Sequence, residues 1–102
     1  MHLMQILLPV RDDKGRVFPK PYYESVANIL TERFGGMTAY TRTPAEGRWK
    51  DSGRKVSEDD IVVFEVIVDL LDISWWRGYR ERLEREFGQQ SIVVRAQKIQ
   101  II

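Results

Sequence analysis

The chain has 102 residues, of which 43% are hydrophobic and 30% are charged, and this balance is typical of one soluble globular domain, residues 1–102. It contains no cysteine, which excludes disulfides, thiolate metal sites and thiol nucleophiles, and its single histidine excludes multi-histidine metal sites. Sixteen basic and fifteen acidic residues give a net charge of +1, so no overall field attracts nucleic acid or a membrane surface. We therefore expect no metal and no cofactor.

The first half of the chain predicts a strand, a helix and a second strand. Residues 3–9 form a short apolar run without a basic region before it, which indicates strand one rather than a signal peptide. A loop over residues 11–20 leads to a helix over 21–34, where apolar residues recur at helical spacing and a proline stands in the first turn. The glycine pair 35–36 ends this helix, and residues 37–42 form strand two. With no targeting segment and no membrane span, the expected location is the cytoplasm.

The second half repeats the pattern in the order strand, helix, strand. Residues 60–68 are the strongest strand signal in the chain, because they are rich in valine and isoleucine. Asp72 or Ser74 caps a second helix that ends near residues 87–88, and residues 91–101 form strand four. One stripe of this helix is apolar, and its opposite face carries charged pairs four residues apart. The stripe is Trp76, Tyr79, Leu83 and Phe87, and the pairs are Arg77/Glu81, Arg80/Glu84, Glu81/Arg85 and Arg82/Glu86.

The element order βαββαβ predicts an α+β domain of the ferredoxin-like class. Such a chain closes as a four-stranded antiparallel sheet in the order 4-1-3-2, with both helices on one face and here a long connection between strands two and three. Alternation along the strands assigns a wholly apolar set of residues to the face under the helices. This set is Met4, Ile6, Leu8, Met37, Ala39, Val62, Phe64, Val66, Val68, Ile92, Val94 and Ala96.

The other face of the predicted sheet mixes aliphatic residues with polar ones. It comprises Leu3, Gln5, Leu7, Thr38, Tyr40, Arg42, Ile61, Val63, Glu65, Ile67, Val93, Arg95, Gln97, Ile99 and Ile101. A face in bulk water rarely carries so many aliphatic residues, and a buried face does not carry unpaired charges. We therefore expect a second subunit, a small-molecule ligand or both to cover it. A homodimer would pack these open faces together or pair strand edges, and the apolar end at residues 99–102 favours edge pairing.

Glu65 is the candidate for a catalytic residue, because it lies in mid-strand among valines and isoleucines. It would act as a general base, or it would form an ion pair with Arg42 on strand two or with Arg95 across the sheet or a dimer interface, and the ion pair is the preferred interpretation. The connection over residues 43–59 is long for a hairpin, and basic residues surround Trp49 within it. Candidate ligand-binding residues are Tyr40, Arg42, Trp49, Lys50 and Arg95. Trp49 would bind a planar or anionic ligand, or it would anchor the loop.

Three segments resemble a group of small uncharacterised bacterial proteins. Phe34-Gly35-Gly36-Met37-Thr38 matches their Phe-Gly-Gly-x-Thr segment, and Gly47-Arg48-Trp49-Lys50-Asp51 matches their Gly-x-Trp-x-Asp segment. The segment over residues 85–93 is similar to their Arg-Phe-x-Gln-x-x-Val ending. The resemblance implies a ferredoxin-like fold and assigns no activity to any residue.

Two classes of function agree with these patterns. The first is a dimeric, non-catalytic module that binds a small molecule or a protein partner through the open sheet face and the Trp49 loop. The alternative is a small cofactor-independent enzyme of the dimeric α+β barrel type, with Glu65 as general base and Arg42 or Arg95 holding an anionic substrate. Nucleic-acid binding is not expected, because Glu65 on the open face repels phosphate and Phe64 points to the helix side.

Overall fold

Four strands and two helices form the part of the chain that the computed structural model describes, residues 1–42 and 60–102. Each predicted element is present within a few residues of its expected bounds. The elements are β1 His2–Pro9, α1 Lys20–Phe34, β2 Thr38–Arg42, β3 Ile61–Val68, α2 Ile73–Glu86 and β4 Val93–Lys98. The histidine at position 2, which the sequence analysis left without a ligand role, belongs to β1 and pairs with Val68 and Lys98.

The sheet has the order β2-β3-β1-β4, and every neighbouring pair is antiparallel. Read from the other edge, this order is 4-1-3-2. β1 and β3 are therefore interior strands, while β2 and β4 are the two edges. The α+β, ferredoxin-like class expected from the sequence is confirmed.

Local signals explain where α1 ends and where α2 begins. Gly35 ends α1 with φ of 85°, a left-handed conformation that glycine adopts without a steric cost. Asp72 caps α2, because its side-chain oxygen accepts a hydrogen bond from the backbone nitrogen of Trp75 at 3.1 Å. The guanidinium of Arg33 then lies 4.3 Å from the centre of the Trp75 ring, which joins the end of α1 to the start of α2.

One face of the sheet carries both helices and the hydrophobic core. Alternate residues of the strands and the inward stripes of α1 and α2 belong to a single buried cluster, as the alternation predicts. Two residues of the predicted core set, Ala39 and Ala96, are instead exposed. They lie on the edge strands β2 and β4, at positions that neither helix covers. Val63, assigned to the opposite face, is only 1% exposed and lies outside this cluster.

The hydroxyl of Tyr79 offers a test of how tightly α2 packs. Tyr79 is 5% exposed, and its hydroxyl has no hydrogen-bond partner within residues 1–42 and 60–102. Burial raises the pKa of Tyr79 to about 12. Since a buried hydroxyl without a partner carries a desolvation cost, we expect Tyr79→Phe to raise the free energy of unfolding by about 1 kcal/mol, measured by urea denaturation. A loss of stability instead would show that the hydroxyl has a partner.

Candidate functional site

The open face of the sheet brings four residues side by side, one from each strand. The strand register places Thr38 opposite Glu65, Glu65 opposite Gln5, and Gln5 opposite Arg95. These four positions share the face turned away from the helices, because their neighbours along each strand carry the core residues. A polar line therefore crosses the middle of a face on which aliphatic residues stand above and below it.

Hydrogen bonds connect three of these side chains with that of Tyr40, which lies two residues after Thr38 on β2. We call this series the polar row, and its members are Tyr40, Glu65, Gln5 and Arg95. Gln5 Nε2 donates to Glu65 Oε2 at 2.6 Å, and Arg95 Nε donates to Gln5 Oε1 at 2.8 Å. The hydroxyl of Tyr40 also donates to Glu65 Oε2, at 2.9 Å. The two charged members of the row, Glu65 and Arg95, set the direction of its bonds, since a guanidinium only donates and a carboxylate only accepts.

Both hydrogen bonds to Glu65 use the same carboxylate oxygen. Oε2 accepts from Gln5 and from Tyr40, whereas Oε1 accepts no hydrogen bond from the residues that the structure describes. The side chain is thus held in place through one of its two carboxylate oxygens. A carboxylate oxygen in this position can attract a cation or accept a proton.

The expected ion pair of Glu65 with Arg42, or with Arg95 across the sheet, is wrong for the described part of the chain, whereas an ion pair with Arg95 across a dimer interface stays a prediction. β1 lies between β3 and β4, so Gln5 stands between Glu65 and Arg95 and connects them by its amide group. Arg42 lies at the end of β2, opposite Ile61 rather than opposite Glu65, and its side chain is exposed. Tyr40, two residues before it, takes the bonding position that the sequence analysis gave to arginine.

A recess of about 380 Å³ opens beside Glu65, between the beginning of β2 and the end of β3. Its volume is within the range of sites for small organic ligands, roughly 300–1,000 Å³. Two glycines at the end of α1 and aliphatic side chains of the open face line it together with Glu65. The lining residues are Leu3, Phe34, Gly35, Gly36, Met37, Thr38, Glu65, Val66 and Ile67. The sequence analysis did not place the glycine pair at a site, because it explained both glycines as the end of a helix.

The predicted site residues are therefore only partly brought together. Tyr40 and Arg95 belong to the polar row with Glu65, and Arg42 lies near one end of it. Trp49 and Lys50 lie outside the described residues.

The hydrogen bond from Tyr40 can be followed by titration. The hydrogen bond that Tyr40 donates to Glu65 is the largest cause that raises the pKa of Tyr40. Desolvation and the negative charge of Glu65 make smaller contributions in the same direction. The bond is intact below the ordinary tyrosine pKa of about 10 and is lost as the pH rises through the raised value. We expect Glu65→Ala, which removes the acceptor, to lower this pKa, as measured by ultraviolet absorbance of tyrosinate, with Tyr40→Phe identifying the signal. An unchanged titration curve in Glu65→Ala would contradict the bond.

Neither a metal-binding cluster nor a membrane-spanning helix occurs in the described ranges 1–42 and 60–102. No group of three or more histidine, cysteine, aspartate or glutamate residues there could hold a metal ion. No helix in the same ranges is long and apolar enough to cross a membrane.

Comparison with known proteins gives a fold and no family. No protein-family profile matches the chain, and no curated protein matches it at a significant level. Among solved structures, a phage SAM lyase in complex with S-methyl-5'-thioadenosine superposes with a TM-score of 0.59. The match covers 95% of this chain and 80% of the lyase at 14% sequence identity, so it shows that the two chains share a fold. Membership of the bacterial group that carries the Phe-Gly-Gly-x-Thr segment stays a prediction.

Proposed function

We propose that this protein is a small cofactor-independent enzyme that binds a sulfonium nucleoside of the SAM (S-adenosylmethionine) type on its open sheet face and cleaves it. The observation that carries the proposal is the carboxylate of Glu65, which is fixed through Oε2 and lines a recess of about 380 Å³. A sulfonium is a small, weakly hydrated cation, and a positioned carboxylate with an aromatic ring beside it is the arrangement that attracts such a group.

The charges of the polar row match both ends of such a substrate. SAM carries a positive sulfur and, three carbons away, an amino acid group with a carboxylate. Glu65 Oε1 would face the sulfonium, while Arg95 would hold the substrate carboxylate. Arg95 uses only Nε for Gln5, which leaves its two terminal amino groups as donors. Gln5 fixes the spacing between the anionic and cationic ends of the row, because it is bonded to both residues.

The cleavage step needs only a base and a polar surface. The bond between sulfur and the aminocarboxypropyl carbon breaks, and its electron pair stays on sulfur to give a neutral thioether. Glu65 takes a proton from the adjacent carbon, whose bonding pair forms the new double bond of the four-carbon amino acid. The proton then leaves Glu65 to water, so the step consumes no cofactor.

Support from the structural comparison is limited to the shared fold. The matched protein is a phage SAM lyase in complex with S-methyl-5'-thioadenosine, which is the thioether this cleavage would release. The proposal therefore depends on the polar row and the recess of this chain, while the likeness indicates which substrate to test first.

We also propose that a second copy of the chain covers the open face. Ile67 and Val93, at 49% and 50% exposure, extend the aliphatic surface on both sides of the polar row. A stable interface needs about 800 Å² per partner, and covering the row would exclude water from the reacting atoms. Sedimentation equilibrium should show a homo-oligomer that Ile67→Asp converts to a folded monomer. A monomer in the unmodified protein would contradict the arrangement.

Incubation of the purified protein with SAM tests the proposed reaction. We expect S-methyl-5'-thioadenosine and an unsaturated four-carbon amino acid in equal amounts, detected by liquid chromatography and mass spectrometry. A lactone in place of the unsaturated product would overturn the role of Glu65 as base. Saturable binding of SAM without any product would overturn the enzymatic proposal and favour the non-catalytic binding module. The absence of both SAM binding and turnover would overturn the enzymatic proposal and the SAM-binding module alike.

A further inference from the structure

A second site lies on the opposite side of the sheet, in a groove between α2 and the edge strand β4. We infer that this groove, which we call the α2–β4 groove, binds a small carboxylate with an apolar body. Its volume is about 180 Å³, and its lining consists of apolar side chains with two arginines. The lining residues are Met4, Leu71, Ile73, Trp76, Arg77, Arg80, Val94 and Ala96. Because it lies on the helix side, this inference does not depend on the proposed function of the open face.

The groove exists because α2 does not cover the edge of the sheet. Ala96 is on the helix side of β4, yet it is exposed, and its methyl group fills little of the space that a larger core residue would take. Trp76, buried at the inner wall, presents an aromatic surface toward the same space. The volume of the groove is below the roughly 300–1,000 Å³ of sites for drug-sized ligands. It therefore suits a smaller ligand, with an apolar body of about ten heavy atoms or fewer.

The two arginines give the groove its preference for an anion. Arg77, expected to pair with Glu81, takes part in no ion pair within residues 1–42 and 60–102. Arg80 lies 3.7 Å from Glu84 and 3.9 Å from Glu81, beyond hydrogen-bond distance, and its buried Nε has no hydrogen-bond partner among the same residues. A guanidinium donor that is buried and unbonded is costly, and a carboxylate in the groove would satisfy it.

Charge and shape together therefore specify the ligand class. The groove contributes two cationic donors and no carboxylate among its lining residues. An apolar ligand would leave Arg77 without an ion pair and the Nε of Arg80 without a hydrogen bond, whereas an inorganic anion would leave the aromatic and aliphatic walls uncovered. A carboxylate attached to a phenyl or branched alkyl body satisfies both parts of the lining.

Phenylacetate and its neutral amide, phenylacetamide, are matched probes for this site. In two-dimensional NMR of the full chain, we expect phenylacetate to shift the Ala96 methyl and Trp76 indole signals saturably, with a Kd below about 1 mM. Phenylacetamide should bind at least about tenfold more weakly, since it lacks the charge that pairs with arginine. Equal binding of the two probes, or no saturable shift with either, would overturn the inference.

Substitutions on α2 and β4 distinguish the groove from a general basic surface. Arg80→Gln and Arg77→Gln should each weaken phenylacetate by about tenfold, because each removes a charge-assisted hydrogen bond. Arg82→Gln is the matched control, since Arg82 is on the same helix but pairs with Glu86 at 2.9 Å and does not line the groove. Ala96→Leu should abolish binding by filling the groove. If Arg82→Gln weakens binding as much as Arg80→Gln, or Ala96→Leu leaves it unchanged, the proposed site is wrong.

Discussion

Glu65→Gln is expected to reduce the rate of SAM cleavage by about 10²- to 10⁴-fold, the usual contribution of a positioned general base. The substitution removes the basic oxygen but keeps the size of the side chain. The amide oxygen of glutamine can still accept from Gln5 and Tyr40, so the polar row should remain assembled. The loss should therefore appear in turnover, measured by S-methyl-5'-thioadenosine release, while the free energy of unfolding changes by less than about 1 kcal/mol.

Glu32→Gln is the matched control for this experiment. Glu32 is an exposed residue on α1, on the helix side of the sheet, and it undergoes the same chemical change away from the polar row. The Glu32→Gln variant should cleave SAM at the rate of the unmodified protein within experimental error. Full activity in Glu65→Gln would contradict the assignment of the base, and equal losses in both variants would indicate a general effect of charge.

Leu30→Ala is expected to lower the free energy of unfolding by about 2–5 kcal/mol. Leu30 is 0% exposed and is one of only two fully buried residues that α1 contributes to the core. Removing its isobutyl group leaves a cavity between α1 and the sheet, which adds to the lost transfer free energy. A domain of this size typically has about 5–15 kcal/mol of net stability, so the change should be visible as a large shift in the urea midpoint.

Leu70→Ala gives the same chemical change without burial. Leu70 is 86% exposed in the connection between β3 and α2, so its substitution should change the free energy of unfolding by less than about 0.5 kcal/mol. A cost for Leu70→Ala that approaches the cost for Leu30→Ala would show that residue 70 is covered in solution. Such a result would direct attention to an interface at that end of the sheet.

Alternation and helical spacing were sufficient to predict the elements, their order and the face that carries the core. The exceptions are informative, because Ala39 and Ala96 obey the alternation and are nevertheless exposed. Alternation tells which way a side chain points, but burial at an edge strand depends on where the helix above it ends. That position is set by how each helix packs on the sheet, which no local pattern contains.

The candidate site was predictable as a face but not as a set of bonds. The sequence placed Gln5, Glu65 and Arg95 on the same side, yet it could not show that Gln5 would stand between the two charges. The bonding partner of Glu65 depends on the register of three strands that are distant in the chain. The α2–β4 groove escaped prediction for a similar reason, since Arg77 and Ala96 meet only after the helix has packed on the sheet.

The position of Gln5 has a consequence for folding kinetics. Its two hydrogen bonds connect it to residues 60 and 90 positions away along the chain. Contacts of such long range form late, because the entropy of closing long loops must be overcome before they stabilise the chain. We therefore expect the polar row to appear in the same cooperative step as the complete sheet, so that a partly folded chain has no partial site. In refolding experiments, the recovery of ligand binding should follow the slowest structural phase.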